Sequence, residues 1–280
     1  MTFETIRLRE DGAVLFAEIA APPMNLLGPE LVRDLVSLIE GAEAEEAVRV
    51  LVLTSADPDY FISHVDLTRI AEYRQEAAKL VGEASIGLLF RRLSASRLVT
   101  IAQVEGRARG AGNEFVLACD MCFAARESAI FGQPEQALGA IPGAGGVQHL
   151  VRLLGRARAL EVLMSSEDYE AELAERYGWI NRALPAAELG DFVRALAHRI
   201  AAFPMVQAVV KDRVNAIALA SVEDFRRDSD LFAECSRTSE SQGRIQSAMK
   251  RGLQTRKTEM SLGLWLGELA DRSERRRDRQ

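Results

Sequence analysis

Two glutamates that follow tight-turn residues are the first candidates for chemistry in this sequence. Glu114 follows the small residues of "RGAGNEF" and precedes an almost wholly apolar segment. A charged carboxylate at that place is costly unless it is paired or used. Glu135 follows Pro134 in "FGQPEQALGAIPGAGG", after a strand-like run. If both face one cavity and their environments separate their pKa values, they can divide the roles of acid and base.

Backbone N–H groups beside these glutamates are candidates for binding a carbonyl oxygen. The small residues at 110–112 let a backbone N–H approach a ligand, and a helix with an electropositive N-terminal end is predicted to begin near Glu114. In "YFISHVDLTRI" a strand is predicted to end at Phe61, and Ser63-His64-Val65-Asp66 to turn into another helix. Two such N–H groups aimed at one point form an oxyanion hole.

Other motifs favour structural roles. The glycines fit neither the dinucleotide pattern G-x-G-x-x-G nor a phosphate-binding P-loop. Cys119 and Cys122 form a C-x-x-C, but they lie in the apolar run "FVLACDMCF" without a second ligand pair, which indicates core residues rather than a metal or redox site. His149 and His198 lie in helical patterns and are interpreted as structural or solvated. We expect no metal, and no cofactor apart from any carried by the substrate.

Composition excludes several classes of protein. The net charge of −6 argues against a nucleic-acid partner, which would require a basic face. The sequence predicts no membrane association, because the N-terminal residues have no apolar leader and no run approaches 18 apolar residues. Three cysteines do not make a disulfide framework, so we expect a cytoplasmic protein. The arginine-rich residues 271–280 are interpreted as a solvated helix end and a weak candidate for an anion contact.

The order of predicted elements indicates an α/β fold. Two strands flank a turn at Asp11-Gly12, a helix begins at Pro29, and the buried strand "VRVLVLTSA" follows. A long helical stretch over 66–97 precedes the strand "LVTIAQVEG". After the helix near Glu114, the strands "CFAA" and "AIFG" lead to one amphipathic helix, "VQHLVRLLGRARALEVLMSS".

Beyond about residue 200 the pattern is wholly helical. We therefore divide the chain into a core at 1–200, which contains the active site, and a helical region at 201–280. Three helical segments are predicted there, the third with a capping box formed by Ser239 and Gln242. Because its apolar stripes cannot bury themselves alone, the region should pack against the core or another subunit.

Several segments resemble the enoyl-CoA hydratase/isomerase (crotonase) superfamily in order and spacing. They include "PPMNLLGPEL", "FISHVDL", "VEGRARGAGNEFVLACDMCFAA" and "FGQPEQALGAIPGAGGVQHLVRLLGRARALEVL". The resemblance covers roughly residues 10–190. It implies a spiral of ββα units followed by a helical trimerisation region, with trimers often paired into hexamers. It also implies an acyl-CoA thioester substrate.

The resemblance implies a role for particular residues. Val65 and Ala111 match the residues whose N–H groups hold the thioester oxygen, and Glu114 and Glu135 match the glutamate pair of the hydratases. The residues that the resemblance places around the substrate are Pro23, Met24, Ser63, His64, Asp66, Leu67, Gly110, Pro134, Leu138 and Gly143. Both glutamates being present favours hydration of a 2-enoyl-CoA to a 3-hydroxyacyl-CoA. Which glutamate is acid and which is base stays open, as does the identity of the acyl chain.

The sequence also departs from the family pattern and leaves alternatives. Where hydratases usually have Ala-Gly-Ala-Asp, this chain has Ser63-His64-Val65-Asp66, and Ala111 replaces the usual glycine. His64 is either a packing residue or a proton carrier for other chemistry, such as C–C bond hydrolysis of a diketone. The alternatives to a hydratase are therefore an enoyl-CoA isomerase, a C–C hydrolase that uses His64, or a non-catalytic acyl-CoA-binding subunit.

Overall fold

Two sheets form the centre of the molecule. The structure is a computed structural model that describes residues 3–205 and 207–268. The strands are β1 (Ile6–Asp11), β2 (Val14–Ile19), β3 (Val50–Ser55), β4 (Tyr60–Ile62), β5 (Val99–Val104), β6 (Arg107–Arg109), β7 (Met121–Ala125), β8 (Ile130–Gly132), β9 (Asp168–Glu170) and β10 (Arg182–Leu184). The larger sheet has the order β1-β2-β3-β5-β7-β10, and the smaller has the order β4-β6-β8-β9.

Helices cover these sheets and form the C-terminal region. They are α1 (Pro29–Ala44), α2 (Ile70–Val81), α3 (Ile86–Ser94), α4 (Ala111–Ala118), α5 (Gly146–Leu154), α6 (Arg156–Ser165), α7 (Ala171–Tyr177), α8 (Ala186–Ala201), α9 (Gln207–Ala218), α10 (Val222–Ser236), α11 (Ser239–Lys250) and α12 (Arg256–Glu259). A 3-10 helix spans Glu135–Leu138, and residues 262–268 are also helical.

A repeated strand-strand-helix unit generates the fold. β3 lies in the larger sheet, β4 in the smaller one, and helices follow; β5, β6 and α4 repeat this order, as do β7, β8 and the 3-10 helix. β2, β3, β5 and β7 pair in parallel, so each unit returns the chain in the same direction. This arrangement confirms the α/β class and the ββα spiral that the resemblance implies.

Apolar faces of the helices fill both sides of the larger sheet. Leu31, Leu35 and Leu38 of α1 are buried on one side, at the spacing that the sequence predicts. On the other side, α8 packs Leu189 and Val193 against the β-branched residues of the sheet. Burial on both faces explains why the central strands are almost continuously apolar.

Two helices that the sequence analysis predicted as continuous are divided by glycines. The stretch over 66–97 contains α2 and α3, because Gly82 ends α2 in the left-handed region (φ +77°) and Ser85 caps α3 by accepting the Leu88 N–H. The amphipathic stretch after "GAGG" contains α5 and α6, because Gly155 has φ +75° between them. A glycine at a positive φ ends a helix without the strain that other residues would meet.

The C-terminal helices pack back onto the rest of the chain. Phe225 of α10 is fully buried, and the Lys211 amine of α9 donates to the Asp120 carboxylate at 2.8 Å. The predicted capping box is wrong: Thr238 caps α11 by accepting the Ser241 N–H. Ser239 is therefore already inside the helix, and the Gln242 side chain donates instead to the Ser236 carbonyl. The division at residue 200 stays a prediction.

The remaining candidates for other chemistry are buried or surface residues. Cys119 and Cys122 are free and buried, which agrees with a core role. His149 is half-buried against the Phe225 ring, and desolvation of its ring lowers its pKa to about 4. His198 forms an ion pair with Asp11 at the surface. Residues 271–280 lie outside the described residues. Over 3–205 and 207–268, no helix is long and apolar enough to cross a membrane.

Candidate active site

A glycine turn between β6 and α4 places Ala111 at the start of a helix. Gly110 has φ +51°, in the left-handed region, and α4 begins at Ala111 rather than near Glu114 as predicted. A Cβ on Gly112 would lie 2.0 Å from the Ile62 carbonyl oxygen, so only glycine lets the turn approach β4 this closely. As the first residue of the helix, Ala111 has no helical carbonyl to which its N–H can donate.

The second predicted donor, Val65, lies in an extended turn and not at a helix start. α2 begins only at Ile70, and Val65 forms a parallel bridge with Leu27. The Leu27 N–H donates to the His64 carbonyl at 2.8 Å, and the Asp66 N–H donates to the Leu27 carbonyl at 3.2 Å. Within the described chain, the N–H groups of Val65 and Ala111 donate to no protein acceptor. Both residues line the same cavity, so both groups are available to a ligand oxygen.

Glu114 is a buried carboxylate held by the N-terminal end of α5. The N–H groups of Ala144 and Gly146 donate to its Oε1 at 2.7 and 2.8 Å. Burial raises the pKa of Glu114 to about 7, although these two hydrogen bonds favour the charged form. The side chain can therefore be ionised at neutral pH in an otherwise apolar place.

Glu135 begins the 3-10 helix and lines the same cavity. The strand-like run therefore ends before Pro134, which caps this helical turn. Its Oε2 atom is buried and has no partner in the described chain. Burial, and then the charge of Glu114, raises the pKa of Glu135 well above its usual value. Of the two coupled carboxyl groups, Glu135 therefore holds a proton more readily than Glu114.

His64 lies beside this pair, and both of its ring nitrogens are bonded. Nδ1 lies 2.7 Å from the Val65 carbonyl oxygen, and Nε2 lies 3.0 Å from Oε1 of Glu259. The His64 and Glu259 side chains are 7% and 0% exposed. Because neither ring nitrogen faces the cavity without a partner, His64 is not placed as a free proton carrier.

The cavity is mostly apolar beyond the glutamates. The space between its lining residues is about 810 Å³ when the open solvent at the mouth is included. Tyr73 and Ile86 line one part, and Phe232, Leu253 and Leu262 line another. A long apolar cavity with a few convergent polar groups at one place suits a hydrophobic chain attached to a reactive carbonyl.

The structure brings together many of the other predicted substrate residues. The cavity is lined by His64, Leu67, Pro134, Leu138 and Gly143. Gly110 packs against the Glu135 side chain, since a Cβ on Gly110 would be 2.9 Å from Glu135 Oε1.

The other predicted residues do not line this cavity. Met24 and Ser63 are buried, and Pro23 is exposed with its carbonyl accepting from Arg256. The Asp66 carboxylate accepts from Thr68 on its own turn.

Sequence reasoning missed the C-terminal contribution. Phe232, Leu253, Leu262 and Leu266 complete the cavity wall, and Glu259 binds His64. Leu262 and Leu266, four residues apart on one face of a helix, were the available signal for an apolar wall. Nothing local distinguishes Glu259 from the other acidic residues of the chain. The described residues contain no group of three or more His, Cys, Asp or Glu that could hold a metal ion.

Two unbonded N–H groups, the buried Glu114 and the half-buried Glu135 thus converge on one apolar cavity. The family model described as Enoyl-CoA hydratase/isomerase matches residues 9–259. The chain belongs to this family. The match extends through α11 and α12, so the family pattern includes most of the C-terminal region that the sequence analysis had left outside the resemblance.

Known members of the enoyl-CoA hydratase/isomerase family match most of the chain. The short-chain-enoyl-CoA hydratase of Clostridium acetobutylicum is 28% identical over 262 residues, 92% of this chain and 98% of that protein. The crotonyl-CoA hydratase of Syntrophomonas wolfei is 31% identical over 71% of this chain and 76% of that protein. Among solved structures, a candidate enoyl-CoA hydratase from Streptomyces avermitilis is 53% identical, with a TM-score of 0.93 over 95% of this chain and 98% of that one.

Proposed function

We propose that this family member is an enoyl-CoA hydratase, a hydro-lyase that adds water to a 2-enoyl-CoA to give a 3-hydroxyacyl-CoA. The observation that carries the proposal is an unequal pair of carboxylates beside two unbonded N–H groups: Glu114 is buried, and Glu135 is half-buried with its Oε2 enclosed. Glu114 accepts two backbone hydrogen bonds, whereas Glu135 Oε2 has no partner among the described residues. Relatives described as hydratases support the same chemistry.

The oxyanion hole activates the substrate. The thioester oxygen accepts hydrogen bonds from the N–H groups of Val65 and Ala111, which withdraws electron density from the conjugated double bond. C3 becomes electrophilic, and the negative charge that develops on the oxygen during attack is stabilised.

The glutamates then move the protons. Glu114 removes a proton from water as its oxygen forms the bond to C3, and the π electrons of C2–C3 pass into the thioester enolate. As the enolate collapses, C2 takes the proton of Glu135. The reaction leaves Glu114 protonated and Glu135 ionised, so one proton transfer between them restores the resting pair. This sequence divides acid and base in the way that the two environments favour.

The rival functions fit the site less well. A C–C hydrolase that uses His64 requires a free ring nitrogen, yet both nitrogens of His64 are bonded. The buried Oε2 of Glu135 has no hydrogen-bond partner among the described residues, which costs folding stability. A catalytic role explains why the chain keeps this atom, whereas a non-catalytic subunit would gain nothing from it. An isomerase moves a proton without water and does not require two carboxylates.

The direct test is a substrate assay with the purified chain. Crotonyl-CoA should lose the absorbance of its conjugated thioester while 3-hydroxybutyryl-CoA appears by chromatography. A 3-enoyl-CoA and a cyclic diketone are assayed in parallel. If turnover were confined to either of those substrates, the hydratase proposal would be replaced by the corresponding rival.

Hydration is redox-neutral, so the proposal includes no cofactor besides the coenzyme A of the substrate. A cytoplasmic location is part of the same proposal. The free cysteines Cys119, Cys122 and Cys235 agree with a reducing compartment.

A homo-oligomer, a trimer or a dimer of trimers, also belongs to the proposal. Helix α9 buries a charged side chain and exposes apolar ones. Lys211 is buried, whereas four apolar residues are exposed: Val209, Val210, Val214 and Ile217, the last by 82%. We call these four residues the α9 surface. A contiguous apolar surface of this kind is typical of a protein interface.

Substituting Ile217→Asp in the α9 surface should dissociate the assembly, because an unpaired charge in an apolar interface is strongly unfavourable. By light scattering, the unchanged chain should have three or six times the chain mass of 30.8 kDa, and the variant should have a lower mass. Leu8→Asp, which changes an exposed leucine of β1, is the control and should keep the assembly. A monomeric unchanged chain would contradict the proposal.

A further inference from the structure

The turn that contains Val65 is hydrogen-bonded to residues that lie almost 200 positions later in the sequence. We call residues 252–263 the C-terminal strap. Oε1 of Gln254 in the strap accepts the Leu67 N–H at 2.8 Å, and its Nε2 donates to Asp66 at 3.2 Å. Glu259 of the strap binds His64. The strap thus contacts both sides of the residue whose N–H faces the substrate oxygen.

The hydrogen bonds of His64 determine its charge. The Val65 carbonyl can only accept, so Nδ1 carries a proton. Oε1 of Glu259 also accepts the Gln254 N–H at 2.9 Å, which favours a carboxylate at this place, and a carboxylate can only accept from Nε2. Both ring nitrogens are donors, which makes His64 an imidazolium and Glu259 a carboxylate.

The charges around the pair agree with this assignment. Burial lowers the pKa of His64, but the charge and hydrogen bond of Glu259 and the hydrogen bond to Val65 raise it, and the net shift is upward. Burial raises the pKa of Glu259, but His64, the Gln254 N–H and Arg109 lower it, and the net shift is downward. Arg109 on β6 opposes the charge on His64, while its guanidinium donates to the Glu259 carbonyl and pairs with Asp168.

Two further carboxylates lie near His64. Glu135 faces it across Gly110, since a Cβ on Gly110 would be 2.9 Å from Glu135 Oε1 and 3.4 Å from His64 Cβ. Asp66 lies on the same turn and is bonded to Thr68. The direct ion-pair partner of His64 is Glu259.

We propose that His64, held as an imidazolium by Glu259, is a positioning residue that fixes the N–H of Val65 in the oxyanion hole. A trans peptide is planar, with its C=O and N–H pointing in opposite directions. The bond from Leu27 to the His64 carbonyl therefore directs the Val65 N–H away from Leu27. The bond from His64 Nδ1 to the Val65 carbonyl fixes the peptide on the other side of Val65. A neutral histidine has a single N–H, so it cannot donate to both the Val65 carbonyl and the Glu259 carboxylate.

The proposal rests on the hydratase function and gives it a pH dependence. His64 has a raised pKa, so its contribution is complete below the unfolded value of 6.5 and is lost as the pH rises through the folded value. Glu259 has a lowered pKa, so its contribution is complete above 4.5 and is lost as the pH falls through its folded value. The pair therefore operates between these two folded pKa values, and kcat should decline at alkaline pH.

The experiment compares His64→Gln and Glu259→Gln with the unchanged chain in the crotonyl-CoA assay. A displaced oxyanion donor should lower kcat by about 10²-fold in His64→Gln, with KM changed little. Glu259→Gln should move the alkaline decline of kcat to lower pH, because the anion that holds the proton on His64 is gone. The control is His198→Gln, which removes a histidine 3.2 Å from the Asp11 carboxylate but away from the cavity. It should leave kcat and its pH profile unchanged.

A second measurement does not depend on activity. The chain has three histidines, so ¹⁵N-labelled imidazole signals can be assigned by substitution. In the unchanged chain at pH 8, His64 should have the ¹⁵N shifts of an imidazolium, and in Glu259→Gln those of a neutral ring. A neutral His64 in the unchanged chain, or an unaltered kcat and pH profile in folded His64→Gln, would overturn the proposal. An unchanged chain that is inactive on enoyl thioesters but has a charged His64 would instead reject the hydratase function and, with it, the catalytic role of the pair.

Discussion

Replacing Glu114 or Glu135 with glutamine should lower kcat by about 10²–10⁴-fold, the usual contribution of a general acid or base. Glutamine has nearly the same shape as glutamate. In Glu114→Gln the amide oxygen can still accept the N–H groups of Ala144 and Gly146, so the turn at α5 should be retained. The variant loses the base that activates water. In Glu135→Gln the cavity keeps its neutral side chain but loses the proton that C2 takes.

The measurements are kcat on crotonyl-CoA, thermal unfolding and assembly mass. Glu175→Gln is the control, because Glu175 also accepts a backbone N–H, that of Ala183 at 3.2 Å, but lies outside the cavity. It should retain normal turnover. If Glu114→Gln or Glu135→Gln also retained it while folded, the two-carboxylate mechanism would be wrong.

The substitution Ala111→Pro should remove one oxyanion donor and lower kcat by about 10²–10³-fold. Proline has no N–H, and it is well tolerated at the first position of a helix, which Ala111 occupies in α4. The variant should therefore fold while its catalytic donor is missing. The thioester oxygen then depends on Val65 alone for backbone hydrogen bonding.

Ala111→Gly is the matched control, because it removes the side chain and keeps the N–H. The kcat of Ala111→Gly should remain within about tenfold of that of the unchanged chain. A tenfold change corresponds to about 1.4 kcal/mol of activation free energy. Equal turnover in the two variants, with equal thermal unfolding, would show that the Ala111 N–H does not bind the reacting oxygen.

Much of this site was predictable because its parts are local in sequence. Gly110 and Gly112 indicate a tight turn before a helix, and that turn determines where Ala111 and Glu114 lie. Parallel strands then bring the turn after β6 and the turn after β8 to the same edge of the smaller sheet, which places Glu135 nearby. Turn chemistry and strand order therefore favoured a pairing of these glutamates, and the family resemblance supplied the assignment of Glu135.

The missed features depend on partners far along the chain. His64 and Glu259 are 195 residues apart, and no spacing rule connects a histidine in a turn to one acid among 41. The break at Gly155 was missed because the apolar stripe continues on both sides of it, and periodicity does not report a single residue with φ +75°. The start of α2 was misplaced because the turn at Val65 is stabilised by Leu27, a residue outside the local segment.

The position of Glu259 also has a consequence for biosynthesis. Ribosomes add about 5–20 residues per second, so His64 leaves the ribosome roughly 10–40 s before its partner, 195 residues later. During that interval the nascent sheet can form, but His64 has no counter-charge, and the cavity lacks the wall that Leu262 and Leu266 provide. Completion of the site therefore requires synthesis of the chain through Leu266, because a nascent chain that stops before residue 259 lacks both the partner of His64 and this wall.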